Sequence, residues 1–599
     1  MKANRFLPAL FLMVTIAGMA GAADTTRSVA RLNQLYADFW EENLKLNPLQ
    51  ATYAGDPRYN AELPNFLSRD FEQTARAFQR KYLDAAKAIG PDGLEGQDRL
   101  SYDIFTLNRE NALADFEFPE RLLPVNQFYN VANTFAQLGS GKGAQPFRTV
   151  KNYEDWLSRA TKAPALFDQA IANMREALPQ KLVQPRVLME KVLPQLDANI
   201  VDDPEKSIFW GPITSMPKEF PDADRARLTA AFRTVIATQL VPAYQRLRVY
   251  IANEYLPKTR DTFGMGALPD GAAWYAHKVK DNTTRSLTPA AVHQIGLDEV
   301  ARIQKEMRAV ARDLGYDKSV KTPAELKEFF AWMKARDDLY FKSREELLKA
   351  YQDFDSNVAP LLSNYFNLRP KAPYEVRLVE EFREASASSG SYQGPPLDGS
   401  RPGIFYVNAY DLKARPRSAL AALSLHEAAP GHHFQIALQR ELSDLPMFRR
   451  FSGDTAYTEG WGLYAEYLGY EMGIYKDPVQ RFGALDAELW RAIRLVTDTG
   501  MHYKGWTRQQ TLDYMFANSP AEPTRAISEA ERFAAIPGQA LAYKIGQLKL
   551  IELRKRAEKA LGRKFDVKKF HDEVLKDGAM PLEVLEAKID RWLTKSAHE

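Results

Sequence analysis

The chain has 599 residues, of which 45% are apolar and 26% are charged, and no stretch is typical of a disordered tail. Lys and Arg number 80 against 77 Asp and Glu, so the bulk charge gives no reason to expect nucleic-acid binding. The sequence has no Cys. This excludes disulfides, thiol nucleophiles and cysteine metal ligands, so any metal site must use His and carboxylates.

The first 22 residues predict a secretory signal peptide. Lys2 and Arg5 form a basic start, Phe6 to Met19 are largely apolar, and small residues at 20–22 supply a cleavage pattern. The apolar run is shorter than the ~20 residues that a membrane span needs, although an uncleaved anchor is the alternative. We therefore expect a periplasmic or secreted protein with no stable membrane insertion after cleavage and no cysteine-linked lipid.

Most of the remaining sequence predicts amphipathic helices. In 29–46, apolar side chains recur at spacings of three and four residues and share one helical face. Between about 373 and 411, alternating and turn-forming residues instead predict two short strands around an irregular loop. The predicted fold is mostly α, with an N-terminal helical half (23–285) and a C-terminal helical half (286–599) that contains this β insert and the candidate catalytic residues.

Three of the eight histidines, His426, His432 and His433, lie within eight residues. The pair His426-Glu427 followed by further His is similar to a zinc-binding helix, in which two His one turn apart hold the ion and the Glu is a general base. In such a helix the second His would stand at position 430. That position is Pro430 in this chain, so the usual spacing is interrupted.

The Pro430-Gly431 pair decides whether these histidines can meet. On an unbroken helix, a residue six positions further on points about 120° away from the first. We predict that Pro430-Gly431 breaks the helix and returns His432 to the side of His426, leaving His433 to point elsewhere. Two alternatives stay open: His433 is the ligand instead of His432, or the histidines only pack within a kinked helix.

Further residues complete a hypothetical site for one zinc ion. Glu459, near the start of a predicted helix, is the expected third ligand, although a solvated ion pair is its ordinary role. Glu427 is the expected general base. His502 lies one turn after Asp498 and is a candidate oxyanion donor whose tautomer Asp498 would fix, or else a packed His with a carboxylate partner. Tyr543 is a second candidate donor or a core aromatic.

Four segments, HEAAPGHH, TEGWGLYAE, DTGMHYKGW and PGQALAYKIG, resemble the bacterial family catalogued as domain of unknown function 885. The likeness extends over nearly the whole chain after the signal peptide. That family looks like a distant relative of the helical gluzincin metallopeptidases, which include the carboxypeptidase Taq, thimet oligopeptidase and angiotensin-converting-enzyme families. The resemblance implies that Glu459, rather than Glu466, is the ligand and that Tyr543 aids oxyanion binding.

The resemblance also implies an architecture for the site. The relatives have a large helical body split by a deep channel, with a small antiparallel sheet near the active site. The edge strand of that sheet pairs with an extended peptide, and Gly403 to Asn408 is the expected strand in this chain.

The residues and the resemblance together predict a zinc-dependent hydrolase, foremost a metallopeptidase that cleaves peptides in a channel through zinc-activated water. One alternative keeps the site but changes the substrate to an amide or ester of the cell wall or of a small molecule. Another is a helical binding protein whose catalytic site has decayed. The presence of Glu427 speaks against decay, because metal binding alone needs no general base.

Overall fold

The computed structural model describes residues 9–380, 384, 387–395, 401–451 and 453–598, with side chains from residue 25 to residue 596. Helices form 71% of the structure and strands 4%, which confirms the mostly α prediction. The predicted cleavage site after Ala22 falls within the first helix, Ala9–Leu46, and residues 1–8 lie outside the described residues. Among the described helices, none combines the length and apolar character that crossing a bilayer requires.

The helices fall into two groups along the chain, on either side of the β insert. Those before it are Ala9–Leu46, Pro48–Ala54, Arg69–Ile89, Gly96–Asp115, Val131–Gly139, Val150–Ala160, Ala163–Ala177, Arg186–Asp197, Gly211–Thr214, Asp222–Val235, Val241–Tyr250, Gly271–Thr283, Pro289–Asp313, Pro323–Lys334 and Arg344–Val358. Those after it are Leu420–Glu427, His432–Glu441, Met447–Phe451, Thr455–Glu471, Pro478–His502, Arg508–Asn518, Pro523–Ala535, Ala542–Leu561, Val567–Leu575 and Leu582–His598.

Local capping sets where several helices begin. Thr322 and Glu325 form a reciprocal capping box, in which each side chain accepts a hydrogen bond from the other residue's backbone N–H. Asp454 caps the glutamate helix (Thr455–Glu471), because its carboxylate accepts a backbone N–H of the first turn at 2.8 Å. This cap fixes the start of the turn that carries Glu459.

The β insert forms a three-stranded sheet. Its strands are β1 (Tyr374–Leu378), β2 (Gly390–Gln393) and β3 (Gly403–Val407), and β3 lies in the middle. β1 pairs with β3 in parallel, whereas β2 pairs with β3 antiparallel. Two strands were predicted and the sheet has three, and the small antiparallel sheet expected near the active site is corrected to a mixed sheet. The prediction of Gly403 to Asn408 as an edge strand is wrong, because β3 is hydrogen-bonded on both sides and cannot accept a peptide.

Side chains from both predicted halves share the main hydrophobic core. Trp40 of the first helix stacks on Phe451, with ring centroids 5.4 Å apart, and Phe105 contacts Phe448 edge-on at 5.1 Å. The buried side chains of a second core all lie between residues 63 and 255. The predicted boundary near residue 285 falls between two helices, and the main core contains side chains from both sides of it.

The glutamate helix and the tyrosine helix (Ala542–Leu561) pack unusually closely because glycines face each other. A Cβ on Gly460 would lie 2.5 Å from the Cα of Gly546, and a Cβ on Gly546 would lie 2.0 Å from the carbonyl oxygen of Ala456. Any larger side chain would therefore force the two backbones apart. This contact matters for the site because the two helices carry Glu459 and Tyr543.

Replacing Gly546 with Ala should destabilise the fold by about 1–3 kcal/mol, because an added methyl group would overpack a contact between backbones. The midpoint of urea unfolding measures the change. Gly453→Ala is the matched control, since no described atom lies within 4 Å of a Cβ built there. Equal midpoints for the two variants would contradict the close approach of these helices.

Candidate metal centre

The helix that carries His426 ends one residue after it. The first histidine helix spans Leu420–Glu427, and the second histidine helix spans His432–Glu441. Between them, the backbone leaves the helical region at Ala428 and again at Gly431, with ψ angles of −124° and −127°. The predicted break at Pro430-Gly431 is thereby confirmed.

Two residues of the connection suit it to a sharp break. Pro430 has no N–H with which to continue the helix, and its carbonyl oxygen accepts a hydrogen bond from Trp461 Nε1 at 2.8 Å. A Cβ on Gly431 would lie 2.0 Å from the carbonyl oxygen of His426, so only Gly fits at this position. The connection is thus tied to the glutamate helix on one side and to the first histidine helix on the other.

The break brings three candidate ligands together. The rings of His426 and His432 have centroids 4.6 Å apart and are nearly perpendicular, at 79°. Nε2 of His426 lies 3.4 Å from Oε2 of Glu459, and Nε2 of His432 lies 3.5 Å from the same oxygen. One ligand atom from each residue lies within 4.8 Å of the others. The predicted convergence of His426, His432 and Glu459 is confirmed.

These separations fit a tetrahedral ion better than a set of hydrogen bonds. Ligands placed tetrahedrally at 2.0–2.1 Å from zinc lie about 3.3 Å from one another. An N–H···O hydrogen bond is shorter, with the two heavy atoms about 2.9 Å apart. Two imidazoles therefore face one carboxylate oxygen at distances too long for good hydrogen bonds, and His432 Nδ1 is buried with no partner among the described residues. The donor set of two nitrogens and one oxygen suits zinc.

Charge compensation holds this cluster together. Burial alone would lower the pKa of His426, but Glu459 and Glu466 raise it to about 9. Burial alone would raise the pKa of Glu459, yet His426 and His432 lower it well below its ordinary value. The carboxylate of Glu459 is therefore ionised at neutral pH and available as a ligand.

Glu466 orients His426, a role that the sequence reasoning missed. Its Oε1 accepts a hydrogen bond from His426 Nδ1 at 2.8 Å, which leaves Nε2 of that ring to face Glu459. Arg491 Nη2 lies 3.4 Å from the same Glu466 oxygen. Carboxylates that hold the second nitrogen of a ligating His are common in metal sites. The seven-residue spacing from Glu459, which places both Glu on one helical face, was the available signal.

Glu427 lies beside this cluster, and its carboxylate has no partner among the residues that the structure describes. It ends the first histidine helix and is 8% exposed. Within the described part of the chain, its carboxylate accepts no hydrogen bond and forms no ion pair, although its charge helps to raise the pKa of His426. The carboxylate is therefore available to hydrogen-bond a water molecule, as a general base requires.

His433 lies outside the cluster. Its Nδ1 is 2.8 Å from the hydroxyl oxygen of Tyr392, and its ring packs against Tyr374 with centroids 4.4 Å apart. Burial lowers the pKa of His433 to about 4, so the ring is neutral. Of the two ligands that the sequence left open, the geometry favours His432.

His502 is held by backbone groups rather than by Asp498. The Met265 N–H donates to His502 Nδ1 at 2.8 Å, and Nε2 donates to the carbonyl oxygen of Phe533 at 3.0 Å. The prediction that Asp498 fixes this tautomer is wrong, because Asp498 accepts a hydrogen bond from the Tyr275 hydroxyl at 2.6 Å instead. Burial lowers the pKa of His502 to about 3. With both nitrogens engaged, this neutral ring is not positioned to donate to an oxyanion.

Tyr543 lies near the cluster, at the start of the tyrosine helix. Burial raises the pKa of its hydroxyl and the nearby Glu459 adds to the rise, whereas Arg494 and Arg532 oppose it. The guanidinium carbon of Arg494 lies 4.6 Å from the centroid of the Tyr543 ring. The hydroxyl therefore keeps its proton at neutral pH, and its role as an oxyanion donor stays a prediction.

The two adjacent histidines give a direct test of the ligand set. If the cluster binds zinc, His432→Asn should lower the zinc affinity by at least about 100-fold, because it removes one of three candidate ligands, whereas His433→Asn should retain zinc. Metal content after dialysis against graded zinc buffers measures the difference. Loss of zinc from the His433 variant alone would contradict the assignment.

Replacing Glu466 with Gln should weaken zinc binding by about 10- to 100-fold without abolishing it, because His426 would lose the carboxylate that orients its ring. Competition with a chromogenic chelator measures the affinity. Glu471→Gln, on the same helix but paired with Arg554, is the control and should bind zinc as the unmodified protein does. Equal affinities for the two variants would show that Glu466 does not support the site.

Solved structures with a similar fold exist, and their descriptions assign no activity. A solved structure from Colwellia psychrerythraea, provisionally described as a lipoprotein, is 30% identical with a TM-score of 0.86, and the match covers 95% of this chain and 99% of that one. Another from Shewanella oneidensis, provisionally described as a lipoprotein of unknown function, is 20% identical with a TM-score of 0.74, covering 92% and 98% of the two chains. The latter likeness shows the fold alone.

No curated protein of known function matches the chain. The family described as bacterial protein of unknown function (DUF885) matches residues 48–589, which is most of the sequence. The resemblance in the four motif segments is thus part of a match that includes both predicted halves. The chain belongs to the DUF885 family of bacterial proteins.

Proposed function

We propose that this protein is a zinc-dependent hydrolase, and specifically a metallopeptidase. The observation that carries the proposal is the meeting of His426 Nε2 and His432 Nε2 around Glu459 Oε2 at 3.4 and 3.5 Å. Three such ligands leave one tetrahedral position open, which is typical of hydrolytic zinc sites, whereas structural sites are closed by four protein ligands.

The residues around the cluster suit hydrolysis. A zinc ion held there would supply Lewis acidity and lower the pKa of a water molecule towards ~7. Glu427 would take a proton from the attacking water and pass it to the leaving amine, because none of the described residues competes for its carboxylate. The Tyr543 hydroxyl would donate a hydrogen bond to the developing oxyanion. Glu466 would keep the His426 ring oriented throughout.

The choice of peptides as substrates rests on the resemblance to helical gluzincins in the motif segments, and the channel that this resemblance implies is part of the proposal. An amide or ester of the cell wall or of a small molecule is the alternative substrate. The signal-like first 22 residues and the lipoprotein description of the Colwellia psychrerythraea relative support a periplasmic or secreted location. A cysteine-linked lipid forms no part of this proposal, since the sequence has no Cys.

Replacing Glu427 with Gln should leave zinc content unchanged and lower kcat by about 10²- to 10⁴-fold, because the variant keeps the ligands and loses the proton acceptor. Mass spectrometry of a synthetic peptide library, together with metal analysis, measures both quantities. Glu471→Gln is the control and should retain both zinc and turnover.

Three other outcomes would count against the proposal. Zinc-free, inactive unmodified protein would favour the binding-protein alternative. Cleavage of purified wall fragments without cleavage of any peptide would favour the amidase alternative. Full activity of the Glu427 variant would remove the assigned general base.

A further inference from the structure

Four arginines gather beside the candidate metal centre, on the helices Pro478–His502 and Pro523–Ala535. This arginine group consists of Arg491, Arg494, Arg525 and Arg532. Two members of the arginine group contact residues of the candidate centre. Arg491 contacts Glu466, the residue that orients His426, and Arg494 lies against the ring of Tyr543.

The acidic side chains near the arginine group do not neutralise it. Glu529 accepts hydrogen bonds from Arg494 Nη2 at 2.8 Å and from Arg532 Nε at 2.9 Å, so both of its oxygens are engaged. Asp486, Glu466 and Asp498 are the other nearby carboxylates. These four acids balance the four guanidinium groups only when all of them are ionised. Burial raises the pKa of Asp486 and raises that of Asp498 to about 7, so the group keeps a positive charge at neutral pH.

The N–H groups of Arg525 are available to hydrogen-bond a ligand. Within the described part of the chain it forms no hydrogen bond or ion pair, and its guanidinium carbon lies 4.5 Å from the centroid of the Trp490 ring. The side chain is exposed, although the surrounding protein desolvates the guanidinium group enough to lower its pKa. Behind it, Nε and Nη1 of Arg494 are buried with no partner among the described residues. Such groups gain from an anionic ligand.

We propose that Arg525, with Arg494 and Arg532 behind it, binds a carboxylate of the substrate, so that the enzyme selects peptides with a carboxylate near the scissile bond. The guanidinium fork matches a carboxylate in shape, and contact with the Trp490 ring restricts the positions that this fork can take. Arg494 contacts Tyr543, which lies near Glu459, so the bound carboxylate would lie within a few residues of the reacting carbonyl. The inference rests on the proposed hydrolase function.

The first experiment tests whether the bound carboxylate is the C-terminus of the peptide. It uses N-acetylated hexapeptides that lack Asp and Glu, synthesised as one pool with a free C-terminal carboxylate (the acid pool) and one pool with a C-terminal amide (the amide pool). Unmodified protein should cleave the acid pool at least about tenfold faster, because a charged hydrogen-bonded pair contributes that much. Arg525→Gln should lower the rate on the acid pool by at least about tenfold and so lose this preference. Equal rates of the unmodified protein on both pools would exclude a C-terminal carboxylate.

The alternative source of the bound carboxylate is an acidic side chain of the substrate. Amide pools that contain a single Glu, or Gln at the same place, separate this source from the C-terminus. Preference for Glu that disappears in Arg525→Gln would assign the site to an acidic side chain. Absence of any carboxylate preference in both experiments would overturn the inference.

Arg336→Gln is the matched control, because Arg336 also stacks on a tryptophan, Trp332, at 5.2 Å but pairs with Asp338. It should keep the full preference. If no pool is cleaved, the peptidase proposal fails, and the arginine group is then tested by measuring the equilibrium binding of the same pools. Tighter binding of a carboxylate pool that Arg525→Gln abolishes would support the anion site. Equal binding of all pools, or a preference that survives in Arg525→Gln, would overturn it.

Discussion

An α-helix that ran without interruption through residues 420–441 would point the imidazoles of His426 and His432 about 120° apart. The connection between the two histidine helices removes this obstacle. Gly431 passes so close to the His426 carbonyl oxygen that no other residue fits, and Trp461 holds the Pro430 carbonyl in place. The ligand set, the position of Glu427 and the proposed chemistry all depend on that one interruption.

On the opposite side of the centre, close helix packing also depends on glycines. Glycines let the glutamate helix and the tyrosine helix approach until backbone touches backbone, and a Cβ on Gly462 would lie 2.6 Å from the His426 ring. The glutamate helix then supplies a candidate ligand, Glu459, and the carboxylate that orients His426, Glu466, from one face. Two buried imidazoles and two carboxylates compensate each other's charge, which makes the burial of such a cluster tolerable.

Local sequence was sufficient for the features that local chemistry controls. Pro430-Gly431 predicts a break because neither residue favours a continuous helix, and the spacing of His426 and His432 then requires that break to be sharp. The third candidate ligand needed the family resemblance as well, because the resemblance selects Glu459 over Glu466 of the same helix. The mostly α fold followed from the spacing of apolar residues, which needs no knowledge of tertiary contacts.

The predictions that failed concern features that depend on contacts between distant parts of the chain. His502 sits one turn after Asp498, yet its nitrogens bond to the backbone of Met265 and Phe533. Met265 lies 237 residues from His502, so the local sequence around His502 could not indicate this partner. The order of the strands also depends on how segments pair in space, so a strand expected at the edge of the sheet lies at its centre.

X-ray diffraction from crystals of the zinc-loaded protein, collected on both sides of the zinc absorption edge, tests the central claim most directly. The account predicts one strong anomalous peak, about 2 Å from Nε2 of His426, Nε2 of His432 and a carboxylate oxygen of Glu459. An anomalous map with no peak between these three side chains, or with its peak at another site, would contradict it.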